Sequence, residues 1–408
     1  MKNHPFESGQ ALILVALAIV GIVGIMGLVI DGGNAFNDRR RAQNAADAAA
    51  LASAYSRIKG EDWVAAAMAA AAENGYNNDG VTNVVTLYSP PRDGPHSGDV
   101  EYVQIIIESH VNTYFARVVG RSRITNVVET IARTKAAEIK PLMNGAAVAS
   151  LAPSSNCING LAFWIHGEAT LDITGGGVFV NSNNNQCALK QQGSGSIRIS
   201  DGYSIDVVGA AQVQKLHLFT PQITVGASPI GYPPPFFMPK VGCNKDAEIL
   251  PDGATMSSGA WYGEFPPPGV THLEGGVYCL DHGMHINGDL EGHNVIFKVS
   301  KGEVRFNSSA NIILDAPNAG PNKGLLIYLP MENKSRVVLN GAGGSDIRGT
   351  ILAPASPILI KGMDSKMGFH SQIIGYTIEA DGNSNVVINY NPEHNFESLS
   401  MPEIQLSE

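Results

Sequence analysis

From Ala11 to Ile30 the chain carries no charged side chain, and it then runs directly into Asp31-Gly32-Gly33. A helix rising ~1.5 Å per residue through that run is about as long as the ~30 Å hydrocarbon core of a bilayer, so residues 11–30 are expected to cross a membrane once, in contact with lipid. A cleaved secretory signal fits less well, because Ile30-Asp31-Gly32-Gly33-Asn34 offers no small-x-small cleavage site. A buried soluble helix is the other alternative. Gly21, Gly24 and Gly27 recur at helical spacing, which would let a neighbouring helix approach, although the stricter G-x-x-x-G pattern is absent.

Beyond the span, the Ala-rich composition of Asp38–Tyr55 predicts a helix. Arg39, Gln43 and Asp47 fall four apart on one stripe, which supports the helix or receives a partner, or else simply faces solvent. Glu61 to Glu73 reads as a second helix ended near Gly75, with Trp63 and Met68 on its buried side. Val81–Tyr88, Tyr102–Val111 and Ile124–Arg133 read as strands, the first two separated by a Pro- and Gly-rich turn. Thr113–Val119 reads as a short helix closed by Gly120. Residues 31–140 thus form a small α+β module carried on the membrane helix, preceded by a short tail at 1–10 and followed by a linker at 141–151.

Residues 152–390 differ in character. Short β-rich pieces such as Thr170–Ile173, Ser196–Ser200, Val295–Val299 and Asn385–Asn389 alternate with Gly, Asn and Ser, and no helical pattern interrupts them. A β-sandwich and a parallel, right-handed β-helix compete for this region. Strands of three to five residues make poor sandwich faces, whereas a solenoid stacks them so that each coil buries the apolar side chains of the last, and the β-helix is favoured. Corners are expected at Gly341-Ala342-Gly343-Gly344, Gly362-Met363-Asp364 and Asp381-Gly382-Asn383. Tyr232-Pro233-Pro234-Pro235 and Phe265-Pro266-Pro267-Pro268 break the rhythm, so residues 228–270 are expected to hold polyproline loops projecting from the body. Residues 391–408 read as a polar C-terminal tail.

A net charge of −10 excludes the usual electrostatics of nucleic-acid binding. Cys157, Cys187, Cys243 and Cys279 are even in number and confined to the second part, as two disulfides in an oxidising compartment would be, with three pairings open. No C-x-x-C, nucleophile elbow or phosphate loop occurs. His272, Asp281, His282, His285, Asp289 and His293 form the densest polar cluster, but they match no strict zinc signature, and His282 and His285 would lie on opposite faces of a strand. No metal, cofactor or catalytic residue is assigned. Glu168, Asp172, Asp201, Asp206, Asp289, Glu291, Asp315 and Asp346 keep open the alternative of a polysaccharide lyase or glycosidase, which needs carboxylates facing each other across a cleft.

The order Gly9-Gln10-Ala11, apolar span, Asp31-Gly32, then Arg41-Ala42-Gln43-Asn44-Ala45-Ala46-Asp47-Ala48-Ala49-Ala50-Leu51-Ala52 resembles the N-terminal module of TadE/TadG-like Flp (tight-adherence) pilus-assembly proteins. Asp31, Gly32, Gln43 and Asp47 are the motif positions. The resemblance implies a bacterial inner-membrane protein with an extracytoplasmic body, working with pilus-assembly or other envelope proteins. Leu14 stands where a pilin-like precursor cut after Gly9 would need Glu, which speaks against processing of that kind. The metal motif Asp-x-Ser-x-Ser of some TadG-like relatives is missing, so their metal-dependent adhesion does not carry over. Asp346–Pro354, Ile358–Gly362 and Ile373–Tyr376 also resemble β-helix modules of bacterial pilus-tip, adhesin and surface-anchored proteins. Arg39, Arg40 and Arg41 oppose an exported body under the positive-inside rule, while the length of the body and its cysteines favour one. The expected role is structural and non-enzymatic: the Ala-rich helix offers a close-packing surface to assembly partners, and the β body a face for protein or surface glycan.

Overall fold

In the computed structural model the apolar run and the Ala-rich segment belong to a single helix, α1 (Ser8–Lys59), long and apolar enough to cross a membrane in its first part. Asp31, Gly32 and Gly33, expected as the exit from the span, do not interrupt it. The structure describes residues 8–158, 160–307, 309–340, 344–361, 368–382 and 385–407. The corner at Gly362-Met363-Asp364 lies outside the described residues, as do most of 341–344, the last residue of Asp381-Gly382-Asn383 and most of the tail at 1–10.

Two units are present, Met1–Ala137 joined by Met401–Glu408, and Glu138–Ser400. In the first, α2 (Trp63–Glu73) begins where the Asp62 carboxylate accepts hydrogen bonds from the Val64 and Ala65 amides. Three antiparallel strands follow, β1 (Asn83–Tyr88), β2 (Tyr102–Asn112) and β3 (Arg123–Lys135), all within two residues of their expected limits. A 3-10 turn at Ala116–Val119 ends on Gly120 at φ 85°, the left-handed closure expected there. Val103, Ile105 and Ile107 of β2 and Val128 and Ala132 of β3 face the helices, following the period-2 alternation of a half-buried sheet.

The fourth strand of this sheet is β4 (Glu403–Ser407), antiparallel to β3 from Ile131↔Ser407 to Lys135↔Glu403. This corrects the reading of 391–408 as a tail. Ile404 and Leu406 alternate with polar residues and pack on the helix-facing core, which is the pattern of a two-sided edge strand. Glu397–Leu399 also pairs, antiparallel to Ile139–Pro141. The second unit is therefore inserted between β3 and β4 of the first.

In the second unit nearly every ladder is parallel, arranged in a ten-stranded and a sixteen-stranded sheet. The expected linker at 141–151 is also corrected, because Ala146–Ser150 is a fully buried strand in the middle of the larger sheet. The chain enters mid-sheet, pairing Ala146–Ser150 with Gly177–Val180, and works outward to Ile223–Val225. It then re-enters at the opposite edge with Gly259–Trp261 and steps back, until Ile373–Asp381 lies beside Ala146–Ser150. The smaller sheet repeats this path, with Asn385–Asn389 returning to Thr170–Thr174. Register stacks like on like: Tyr278, Phe297, Ile327, Ile351, Ile373, Val148, Val178 and Ile205 follow one another across the larger sheet, all buried.

The path from one edge to the other runs through the Pro-rich stretch, which packs against the sheet and does not project. Ile230, Tyr232, Phe236, Met238 and Val241 cover Ile296, Tyr328, Leu352 and Ile374 on the outer face of the larger sheet. That row is apolar on both sides, so without a cover it would face water. The amide of Asn181 grips Ile230 at both its N–H (2.7 Å) and C=O (2.8 Å), and Lys298 Nζ donates to the Val241 carbonyl (2.9 Å). Phe265, at the second proline run, is likewise buried, 5.8 Å from the ring of Tyr278 and 5.6 Å from that of Phe297. Of the three pairings, the structure has Cys157–Cys187 and Cys243–Cys279, and the second fastens the far end of the strap. Replacing Cys243 and Cys279 together by Ser is expected to cost about 2–4 kcal/mol, because a loop of 36 residues loses its closure in the unfolded chain. Denaturant melts of the two proteins measure it, and equal midpoints would mean that packing alone holds the strap.

Candidate functional site

Four of the alanines that the sequence offers to partners, Ala42, Ala45, Ala46 and Ala49, are fully buried in the first unit's own core, with Ala67 and Ala71 of α2. Side chains this small let the helix lie close against β2 and β3, so that surface is consumed internally. The expectation of an Ala-lined docking face is corrected accordingly. Beyond the span α1 exposes Gly32, Gly33, Asn34, Phe36, Asn37, the three arginines Arg39, Arg40 and Arg41, and Asn44, then Leu51, Tyr55 and Lys59 further along.

The polar residues of the same helix rivet it to the sheet. Asp31, 4% exposed, accepts from the backbone amides of Tyr114 (2.8 Å), Phe115 (3.0 Å) and Ala116 (2.7 Å). Burial opposes the charge on this carboxylate, but the three amides outweigh it and its pKa is lowered from 3.8. One turn earlier, a Cβ on Gly27 would come within 2.6 Å of the Phe115 Cβ, so glycine is what allows this approach. Gly32, the neighbouring motif position, is exposed, and nothing lies within 4 Å of where its Cβ would be; nothing in the structure explains it.

Two turns further on, Asp38 is a hub the sequence reading missed. It accepts from Asn126 Nδ2 (2.7 Å), from the Tyr76 hydroxyl (3.1 Å) and from Ser109 Oγ. The signal was its distance of seven residues from Asp31, which places both carboxylates on one helix face. Gln43 and Asp47 complete the stripe. Gln43 Nε2 donates to Thr130 Oγ1 (2.8 Å) and to Asp47 (3.0 Å), and the Thr130 hydroxyl donates to Asp47 (2.6 Å). Gln43 and Asp47 thus support the helix and pin it to the chain's own sheet, whereas Arg39 faces solvent.

Two outcomes follow. Thr130→Val keeps the volume and removes both bonds, so it is expected to cost about 1–2 kcal/mol, read as faster amide exchange across Ala42–Ala50; unchanged exchange would show the triad to be dispensable. Asp31 has its pKa lowered on folding, so its contribution is complete above the unfolded value and is lost as pH falls through the folded one. Amides 114–116 are expected to stay protected at about pH 4 and to open only in stronger acid, and opening by about pH 5 would contradict the cap.

In the second unit the histidines of the sequence cluster disperse, His272 and His293 at the smaller sheet and His285 on a strand of the larger one. His293 Nε2 lies 3.1 Å from Glu291, and its Nδ1 bonds Asp315; these two carboxylates raise its pKa. His272 approaches the other oxygen of Glu291 (3.7 Å), His285 approaches Glu303 (3.5 Å), and His282 bonds Asp281 beside it. Among the described residues no three such ligands converge as a metal site requires. The scattered carboxylates are engaged too: Asp172 with Arg198 (3.6 Å), Asp346 with Arg348 (2.7 Å), and Asp289 with the Asn311 amide (2.9 Å).

An apolar helix that continues past Asp31 into a Gln43–Asp47 stripe, with alanines between, is the arrangement that decides the comparison with known families. Residues 9–56 match the family of putative Flp pilus-assembly TadE/G-like proteins. No curated protein and no solved structure matches the chain. The TadE/G-like segment is thus the single helix whose polar stripe ties it to the β-sheet. The match covers residues 9–56, and the apolar run within it is long and apolar enough to cross a membrane.

Proposed function

We propose that this chain is a membrane-anchored, extracytoplasmic structural protein of a Flp (Tad) pilus or related surface structure, acting through contacts and without catalysis. The observation that carries this is the TadE/G-like helix, apolar enough at one end to enter lipid and riveted at the other to a folded domain through Asp31, Asp38 and Asp47. Such a joint makes span and membrane-side domain one stiff element. The body we read as a parallel β-helix, supported by short parallel strands and apolar stacks through the ladders, and we assign it the right hand that parallel crossovers take as a general rule. Pairing of all four cysteines favours an oxidising compartment, hence the N-terminus inside the inner membrane and the body beyond it.

Deletion of the gene in its host, followed by electron microscopy of surface filaments, tests the role. Loss of filaments, restored by the whole chain, is the expected result, and filaments of normal number would end the assembly reading. Orientation is tested separately by fusing alkaline phosphatase or a cytoplasm-only fluorescent reporter after Glu408. Phosphatase activity is expected; fluorescence in its place would make Arg39–Arg41 the true topological signal.

A further inference from the structure

A cleft of about 480 Å³ opens in the second unit where the chain first enters its sheets, within the size range of small-molecule sites. One wall is a turn in which Met143 (φ 53°), Asn144 (φ 54°) and Gly145 (φ 82°) are left-handed in succession. Asp201 (φ 66°) and Gly202 (φ 78°) form a second left-handed turn, which delivers Tyr203 to the cleft. Two successive non-glycine residues in that region, one of them methionine, are held only where the surroundings over-determine them, and such strain gathers at binding sites. Here the clamp is Gln372, fully buried, whose Nε2 donates to the Leu142 carbonyl (2.9 Å) and the Ala146 carbonyl (2.8 Å) across the turn. The roof is the start of the strap at Ala227–Ile230, fixed by Asn181. The cleft is therefore preformed on rigid supports.

Its chemistry is selective. Tyr203, 42% exposed, and the half-buried Phe179 supply aromatic surface. Asp206, Ser204 and Asn144 supply polar groups, and the Ser204 hydroxyl donates to Asp206 (2.6 Å), which fixes the carboxylate. Among the described residues no Lys, Arg or His lines the cleft, so an anion finds no counter-charge there. Among the described residues Asp206 is the lone carboxylate of the lining, so these do not supply the facing pair that a glycosidase needs. We propose that the cleft binds a neutral oligosaccharide without cleaving it, one ring laying its C–H face on Tyr203 while its hydroxyls donate to Asp206 and bond Asn144. This binding is independent of the pilus-assembly reading and stands if that reading fails.

The test uses the full chain in nanodiscs, free of sugar-headed detergent, with maltotetraose, cellotetraose, chitotetraose and mannotetraose as probes. Saturation-transfer NMR is expected to show ring protons of at least one probe in contact with protein, and calorimetry an affinity that falls about tenfold or more in Tyr203→Ala and in the isosteric Asp206→Asn. Tyr262→Ala, at an exposed tyrosine outside the cleft, should leave it unchanged. Absence of transfer from all of the probes, binding indifferent to both cleft variants, or capture of a tetralysine peptide in place of the sugars would each overturn the proposal. Release of shortened sugar during the measurement would overturn the non-catalytic part of it.

Discussion

Removing Met401–Glu408 is expected to destabilise the membrane-proximal unit by about 2–4 kcal/mol, although the eight residues lie at the far end of the sequence. The deletion strips β4 from β3 over a five-residue register and uncovers the core side chains that Ile404 and Leu406 protect. Each of these two half-buried side chains contributes on the order of 1 kcal/mol, and the lost ladder and side-chain contacts add the rest. Among those contacts are Arg133 with Glu403 (3.8 Å) and His96 with Ser407 (2.9 Å). Hydrogen exchange on the truncated protein in nanodiscs should show β3 opening from Ile131 to Lys135 while the second unit keeps its protection. Exchange at β3 equal to that of the full chain would mean that β4 is an ornament of the sheet and not a structural part of it.

Phe297→Ala carries the larger cost within the second unit, about 3–5 kcal/mol. Phe297 is fully buried, stacks on Tyr278 at 5.6 Å, meets Phe265 edge-on at 5.6 Å and sits in register with Ile327 on the next strand. Truncation empties a site bounded by rigid ladders that cannot close over the void, so the loss falls near the top of the range for aromatic deletions. Phe237→Ala, 49% exposed on the strap, is the matched control and should move the denaturation midpoint by less than about 0.5 kcal/mol. If both variants melt alike, the aromatic cluster is not the centre of this core.

The consequence for the proposed role is that both units close on themselves. Because the second is inserted between β3 and β4, its first and last strands, Ile139–Pro141 and Glu397–Leu399, pair with each other. The second unit is thereby a closed fold of its own, with both its ends paired.

The local readings that held rest on signals within a few residues of each other. The absence of charge from Ala11 to Ile30, the density of alanine after it, Gly120 at a turn and the alternation in β1, β2 and β3 each fix a backbone state by short-range energetics, and each element was found where expected. Other features depended on partners far along the chain. Asp31, Gln43 and Asp47 stood out as motif positions, but only the sheet showed that they bond Phe115 and Thr130. Short parallel strands of similar composition satisfy one another almost equally well in many orders, so local pattern predicts the strands and leaves their sequence in the stack undetermined. Entry at the middle of the sheets follows from tertiary closure, as do the strap over Ile296 and Leu352, the choice of Cys243 for Cys279, and the return of β4 to β3. The sequence by itself determined the helices, the apolar run and the strands of strongest alternation, because those are set by neighbours in the chain, while Ala146–Ser150 and Glu403–Ser407 became strands only through distant partners. The tertiary structure alone decided which segments touch, because an apolar row such as Ile296, Tyr328, Leu352 and Ile374 needs a cover but does not specify which segment supplies it.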